Sequence, residues 1–311
     1  MSATEIAEAN ERIRPHIVRT PLLLSPGLSK LLGCDVSLKA EVFQHTGSFK
    51  FRGAVNKALT LTDVERARGV IAYSAGNHAM AVAQLGRQLG IRVVVCMPDW
   101  ATPFKIDAVR SLGAELELVT GDLVGRALAR RDAEGLTLIP PFADAAVIAG
   151  AASVGVEIAQ DLRDVDTVLV PVGGGGLISA VGAALKQFRA GVRIVGIEPE
   201  TADVVRRSRA AGVPVTHPGP RSLADGLGAP MTGQINLDHI AEYVDEMVVI
   251  TEDSIRPAWR TLVDVTKLAG EPSAAAGIAA IQTGAVTVRP GERVCLIISG
   301  GNADFAKLNA S

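Results

Sequence analysis

The sequence predicts an α/β fold in which two open, mostly parallel twisted sheets are flanked by helices. Three observations carry it. Short apolar runs rich in Val and Ile alternate with helical stretches, as βαβ units require. Most of the helical stretches end in glycine, a common helix stop. The hydrophobic share is 48% of 311 residues, but aromatics make up only 4% and glycines number 32. A core of small and branched side chains suits strands buried on both faces.

The predicted strands, in order, are "GVIAY" (69–73), "RVVVCMP" (92–98), "AELELV" (114–119), "DTVLVPV" (166–172), "RIVGIE" (193–198) and "RVCLIIS" (293–299). The predicted helices are "NHAMAVAQLGRQLG", "PFKIDAVRSLG", "GLISAVGAALKQFRAG", "SIRPAWRTLVDVTKLAG" and "PSAAAGIAAIQTG". No fixed-period repeat and no Pro/Ser-rich linker marks a boundary, so two domains imply a chain that crosses between them more than once. Residues 1–64 and 148–311 are expected to form the larger domain and 65–147 the smaller.

Net charge is −2 with no basic stripe, which argues against nucleic acid as a partner. No apolar run of about 18 residues predicts a membrane span. The charged start, "MSATEIAEANERIRPHIVRTPLL", is unlike a signal peptide. Cys34, Cys96 and Cys295 form neither a CxxC pair nor a zinc spacing. Buried free thiols in a reducing cytoplasm are the expected reading.

Three stretches join an apolar strand to a polar, glycine-containing loop. In "VLVPVGGGGLISAVGAALKQF", four glycines, Gly173 to Gly176, lead into a helix that starts near Leu177. Backbone N–H groups at a helix start, approached closely through glycine, make a phosphate cradle. No Gly-Lys-Ser/Thr follows, so it is not a Walker loop. Counted from Gly173, the third glycine of a dinucleotide fingerprint would fall on Ile178, although Glu198 ends the next strand where a ribose-binding acid would sit. In "YSAGNHAMAVAQLG", Ser74, Gly76, Asn77 and His78 offer N–H groups and side chains for an anion such as a carboxylate; N-capping by Ser74 or Asn77 explains the pattern equally well. "IISGGNADF" repeats the arrangement around Ser299. Such loops at strand C-terminal ends line one crevice of an open α/β sheet.

Against this crevice, Lys50 in "HTGSFKFRGA" acquires a purpose. An isolated lysine between Phe49 and Phe51 reads first as a side chain snorkelling to the surface. In an apolar setting beside a phosphate cradle, it reads as a nucleophilic amine suited to a Schiff base, with pyridoxal 5'-phosphate as the cofactor.

Taken in order, "EVFQHTGSFKFRGA", "SAGNHA", "MPDWATPFK", "AVIAG" (146–150), "PVGGGGL", "IEPETAD", "LADGL", "EPSAAAG" and "SGGN" resemble the catabolic threonine/serine dehydratases and serine racemases. These are fold-type II pyridoxal-phosphate enzymes, built like the β subunit of tryptophan synthase. The resemblance runs from about residue 15 to 305. It implies that Lys50 carries the cofactor as a Schiff base, between Phe49 on one ring face and the Gly226 backbone on the other. It implies that Gly173, Gly174, Gly175, Gly176 and Leu177 bind the phosphate, Asn77 the ring hydroxyl and Ser299 the ring nitrogen. Ser74, Gly76, Asn77 and His78 would hold the substrate carboxylate. A hydroxyl on the ring nitrogen makes a weaker electron sink than an aspartate partner, which suits elimination over transamination. The implied reaction is dehydration and deamination of a β-hydroxy amino acid to a 2-keto acid and ammonia, in a homodimer or higher homo-oligomer. The alternatives are racemisation, β-replacement, or a degenerate cofactor-binding protein.

Several positions depart from the family pattern. Racemases of the group often carry serine where this chain has Ala75. The group's divalent-cation site would use Glu198, the Ala202 carbonyl and an acid at position 204; that residue is Val204, so no metal is expected. Gly150-Ala151-Ala152-Ser153 replaces GQGT, and Ala274 replaces a glycine, from which an altered substrate pocket is expected.

Overall fold

The structure, a computed structural model, describes residues 1–217 and 222–308. Its strands are β1 (Leu22–Leu24), β2 (Asp35–Ala40), β3 (Val70–Tyr73), β4 (Val93–Pro98), β5 (Glu115–Val119), β6 (Thr137–Leu138), β7 (Thr167–Pro171), β8 (Arg193–Pro199), β9 (Glu246–Ile250) and β10 (Arg293–Ile298). They form two sheets. The larger has the order β1-β2-β10-β7-β8-β9, and the smaller β5-β4-β3-β6. Every pairing between these strands is parallel except β1 with β2. The predicted fold class is the one observed, and all six predicted strands are present. Sequence reading missed β1, β2, β6 and β9.

Both faces of the large sheet are covered, and the period of two in each strand sorts its side chains accordingly. In β10, Val294, Leu296 and Ile298 face a core with Trp259, Leu262 and Ile278. Cys295 and Ile297 face the opposite core, with Ile158, Ile178 and Val181. Each fully buried Val, Leu or Ile contributes about 1.5–3 kcal/mol, so the alternation fixes the register. The small sheet does the same with Val93, Val95 and Met97 on one face and Val94 and Cys96 on the other.

The Lys50–Leu59 helix crosses the Ala145–Ala151 helix at very short range. A Cβ on Gly53 would lie 2.6 Å from the Val147 carbonyl, and one on Gly150 would lie 2.4 Å from the Arg52 carbonyl. Glycine at both positions is what lets these backbones touch.

A closed set of charges anchors the same helix. Arg52 gives Nε to Glu41 at 2.7 Å and Nη1 to Glu157 at 2.8 Å, and Lys39 Nζ gives to Glu157 at 2.5 Å. Nζ of Lys39 also donates to the Thr20 carbonyl, and Thr20 Oγ1 to Glu41. All four charged residues are buried. Two cations balance two carboxylates.

Candidate active site

The loops that follow β3, β7 and β10 stand at the C-terminal ends of parallel strands and face one crevice, where open α/β sheets bind ligands. The chain enters it through "HTGSFK". Thr46 and Gly47 take left-handed backbone conformations, φ 57° and 70°. Ser48 is extended and bridges Gly300, and Phe49 N–H donates to the Ser299 carbonyl at 3.1 Å. Lys50 then opens its helix. Phe51 points into the core, edge-on to His45 with ring centroids 5.1 Å apart. Lys50 Nζ lies 5.2 Å from the Phe49 ring centroid and donates to the Pro141 carbonyl at 2.8 Å. The residue is half-buried, and loss of water around the amine pushes its pKa down to about 8, against the pull of Glu271.

The glycine loop leaves no room for side chains. A Cβ on Gly174 would lie 2.3 Å from the Phe142 ring, and one on Gly176 would lie 2.9 Å from Phe142 Cβ. Gly175 has φ +89° and opens the Gly176–Phe188 helix, so the loop's N–H groups end on a helix start. Thr232 Oγ1 donates to the Gly174 carbonyl at 3.0 Å. Leu177 keeps its side chain in the core. Gly226 is wedged between this loop and Glu271: a Cβ there would meet Ser273 Oγ at 2.7 Å, while its carbonyl lies 3.2 Å from a Cβ on Gly173.

On the third wall, Ser74 Oγ accepts the Gly76 N–H at 3.1 Å. Asn77 begins its helix with Nδ2 on both oxygens of Glu271, at 2.9 and 3.1 Å. His78 follows Asn77 in the same helix. Its ring is buried, Nε2 hydrogen-bonds the Ile139 carbonyl at 2.8 Å, and burial lowers its pKa to about 3. A neutral ring held this way pins the segment carrying Pro141 and Phe142. The backbone N–H of His78 lies in the first turn of that helix, and among the described residues its ring Nδ1 has no hydrogen-bond partner.

Glu271, Pro141 and Phe142 were not singled out from the sequence. Glu271 is buried, and burial pushes its carboxyl up to about 7, against the Asn77 bond. Asp225, beside Gly226, pairs with Lys105 at 2.5 Å and so ties the Pro103–Ser111 helix, which follows β4, to the large-sheet side of the crevice.

Ala151 and Ala152 pack with Ile6, Ile148 and Val156, and Ser153 binds Gly150 and Arg52. Ala274 belongs to the Trp259 core. These departures take part in helix packing. Glu198 is fully buried and accepts the N–H groups of Val205 and Arg206, each at 2.8 Å, which caps the Val204–Ala211 helix. Burial, opposed by these bonds, pushes its carboxyl up to about 8.

These residues fit a phosphate-bearing aldehyde cofactor. The amine is deprotonated with little effort, the glycine cradle admits close approach, and the hydroxyls of Ser48 and Ser273 and Oδ1 of Asn236 are buried with no protein partner among the described residues.

The sequence pattern of the pyridoxal-phosphate dependent enzymes matches residues 13–300, and the chain belongs to that family. Among its relatives, an L-threonine ammonia-lyase of Thermotoga maritima is 39% identical, over 96% of this chain and 75% of that one. A serine racemase of Arabidopsis thaliana is 34% identical, over 97% and 93%. Among solved structures, the processed form of threonine deaminase isoform 2 from Solanum lycopersicum superposes with a TM-score of 0.91 at 34% identity, covering 99% of this chain and 87% of that one.

Proposed function

We propose that this protein removes water from a β-hydroxy amino acid such as threonine or serine, and that the released enamine takes water back and loses ammonia, leaving a 2-keto acid. The observation that carries the reading is Lys50: a half-buried amine with its pKa near 8, at a helix start beside a glycine cradle. Lys50 Nζ would hold the cofactor carbon. Gly173 to Gly176 and the Leu177 N–H would take the phosphate, Asn77 the ring hydroxyl and Ser299 the ring nitrogen. Phe49 and Gly226 would cover the two faces. When bound, the cofactor supplies an electron sink that acidifies the substrate α-carbon. Ser74 and the N–H groups of Gly76, Asn77 and His78 would orient the substrate carboxylate. Lys50, released by the substrate amine, would take the α-proton on Nζ.

Racemisation needs a second acid or base on the opposite face. The relatives include serine racemases, but Ala75 offers a methyl group where such a residue would stand. The test is keto-acid release from a panel that includes L-threonine and L-serine, with chiral analysis after incubation in deuterated water. Keto acid with little D-serine is expected. Rapid α-deuterated D-serine without keto acid would make the protein a racemase.

The division into 1–64 with 148–311 and 65–147 agrees with the small sheet, whose strands lie between Val70 and Leu138. Limited proteolysis, cutting first in the loops at residues 60–62 and 140–144 that flank this segment, would test it. Leu24, Leu31 and Val265 are exposed, and a Cβ on Gly27, between the first two, would lie 2.6 Å from Val265. This apolar patch supports a homodimer or higher homo-oligomer, which sedimentation would read directly. Three buried free cysteines agree with the cytoplasm, testable by fractionation. Among the described residues no helix is long and apolar enough to cross a membrane.

A further inference from the structure

Asn77 is one link in a chain of side chains that begins and ends outside the part of the crevice assigned to the cofactor. Asn302 Nδ2 donates to the Thr46 carbonyl at 2.7 Å and to Asn77 Oδ1 at 2.9 Å. Asn77 Nδ2 in turn donates to Glu271. A primary amide has two N–H bonds and one acceptor oxygen. Both N–H bonds of Asn302 are committed, so its amide has one orientation: reversed, its oxygen would face the Thr46 carbonyl. Asn77 must then present its oxygen to Asn302. At its other end, a reversed Asn77 would set its oxygen against the Glu271 carboxylate. The two ends enforce the same orientation.

The stoichiometry leaves one group over. Seen from a nitrogen about 3 Å away, the two oxygens of one carboxylate subtend an angle much narrower than the spread of the two N–H bonds of a planar amide. Glu271 therefore takes one N–H, shared between its oxygens. The second N–H of Asn77 has no acceptor among the described residues, in a half-buried residue on the crevice wall. Glu271 is itself fixed: its N–H donates to the Gly300 carbonyl, and Oε1 lies 2.8 Å from a Cβ on Gly300 and 3.2 Å from one on Gly226. Small residues on both sides let the carboxylate reach Asn77.

We propose that Asn302 and Glu271 are positioning residues, which together hold the Asn77 amide so that one N–H is permanently offered to the cofactor's ring oxygen. The inference rests on the assignment of Asn77 to that oxygen. Neither Asn302 nor Glu271 is asked to touch the ring. The backbone feature behind the relay is the left-handed Thr46–Gly47 turn, which aims the Thr46 carbonyl at Asn302. A donor fixed in this way stabilises the ring oxygen in its ionised form, so it governs the colour of the loaded protein as well as its affinity.

The experiment measures the pyridoxal phosphate dissociation constant and the ratio of long- to short-wavelength absorption of the loaded protein. The variants are Asn302→Ala, Glu271→Leu, Glu271→Gln and Asn77→Ala, with Asn302→Ala and Glu271→Leu also placed in the Asn77→Ala background. Asn302→Ala and Glu271→Leu should each weaken binding about tenfold and lower the absorption ratio. Glu271→Gln keeps an acceptor for Asn77 and should stay within about threefold of the wild type. In the Asn77→Ala background Asn302→Ala should add no more than about twofold, and Glu271→Leu no more than the roughly threefold its charge exerts on Lys50, because the group they act through is gone. Full-sized effects in that background, or a Gln variant as weak as the Leu variant, would overturn the relay. So would single variants with unchanged affinity and spectrum, provided Asn77→Ala itself weakens binding. If Asn77→Ala changes nothing, the assignment of Asn77 fails and the relay falls with it.

Discussion

Lys50 and Arg52 stand two residues apart on one helix, and the protein treats their charges in opposite ways. Arg52 is fully buried, with Glu41 and Glu157 placed around its guanidinium and Lys39 completing the balance. Among the described residues Lys50 has a carbonyl oxygen as its one hydrogen-bond acceptor, an aromatic ring nearby, and its counter-charge, Glu271, bound to Asn77. A buried cation ringed by carboxylates stays charged and rigid. An amine with weak partners gives up its proton near neutral pH and becomes a nucleophile. The contrast shows how one helix can be held fixed through its third residue while its first stays reactive.

Lys50→Ala should lower elimination by about three orders of magnitude or more, because nucleophile and base are lost together. The fold should survive, since the phosphate cradle lies elsewhere. Steady-state keto-acid release checks this, and near-normal turnover would remove Lys50 from the chemistry. Arg52→Met strips two buried carboxylates of their main partner, leaving Lys39 on Glu157 and Glu41 with no cation. A loss of about 3–5 kcal/mol in denaturant unfolding is expected. A loss below about 1 kcal/mol, small for a broken buried pair, would mean that the cluster is not what anchors the helix.

The rate of cofactor attachment to freshly resolved protein should rise with pH through a midpoint near 8, as Lys50 loses its proton. The Glu271 carboxylate favours the ammonium form. Removing its charge with Glu271→Gln should therefore move the midpoint down, by about half a unit. An upward shift, or none, would show that Lys50 does not sense Glu271.

What the sequence disclosed and what it hid divide along the same line. Motifs contiguous in the chain were readable: the strand-loop-helix around Gly173 to Gly176, the loop at Ser74 to His78, and Lys50 itself. Partners distant in the chain were not. Asn77 and Glu271 are 194 residues apart, and nothing in "EPSAAAG" says that its glutamate reaches an asparagine. Strand β2 escaped because Lys39 lies in it, and a lysine in a strand reads as solvent-facing. Its burial depends on Glu157, 118 residues away. The His78 ring illustrates the converse: a residue inside a functional motif turned out to serve the architecture, because a buried carbonyl, that of Ile139, lay within its reach.

The position of β10 sets a timetable for the protein's synthesis. This strand lies between β2 and β7 and pairs along all six of its residues with β2, yet it is built from residues 293–298. As the chain leaves the ribosome, the small sheet's strands, Val70 to Leu138, arrive together and can pair at once. The large sheet must wait with its two halves apart, each exposing an unpaired apolar edge. The crevice closes last, when Ser299 and Gly300 reach Phe49 and Ser48. An interrupted or shortened chain that lacks this one strand would therefore yield an intact small sheet beside two aggregation-prone fragments with no cofactor site.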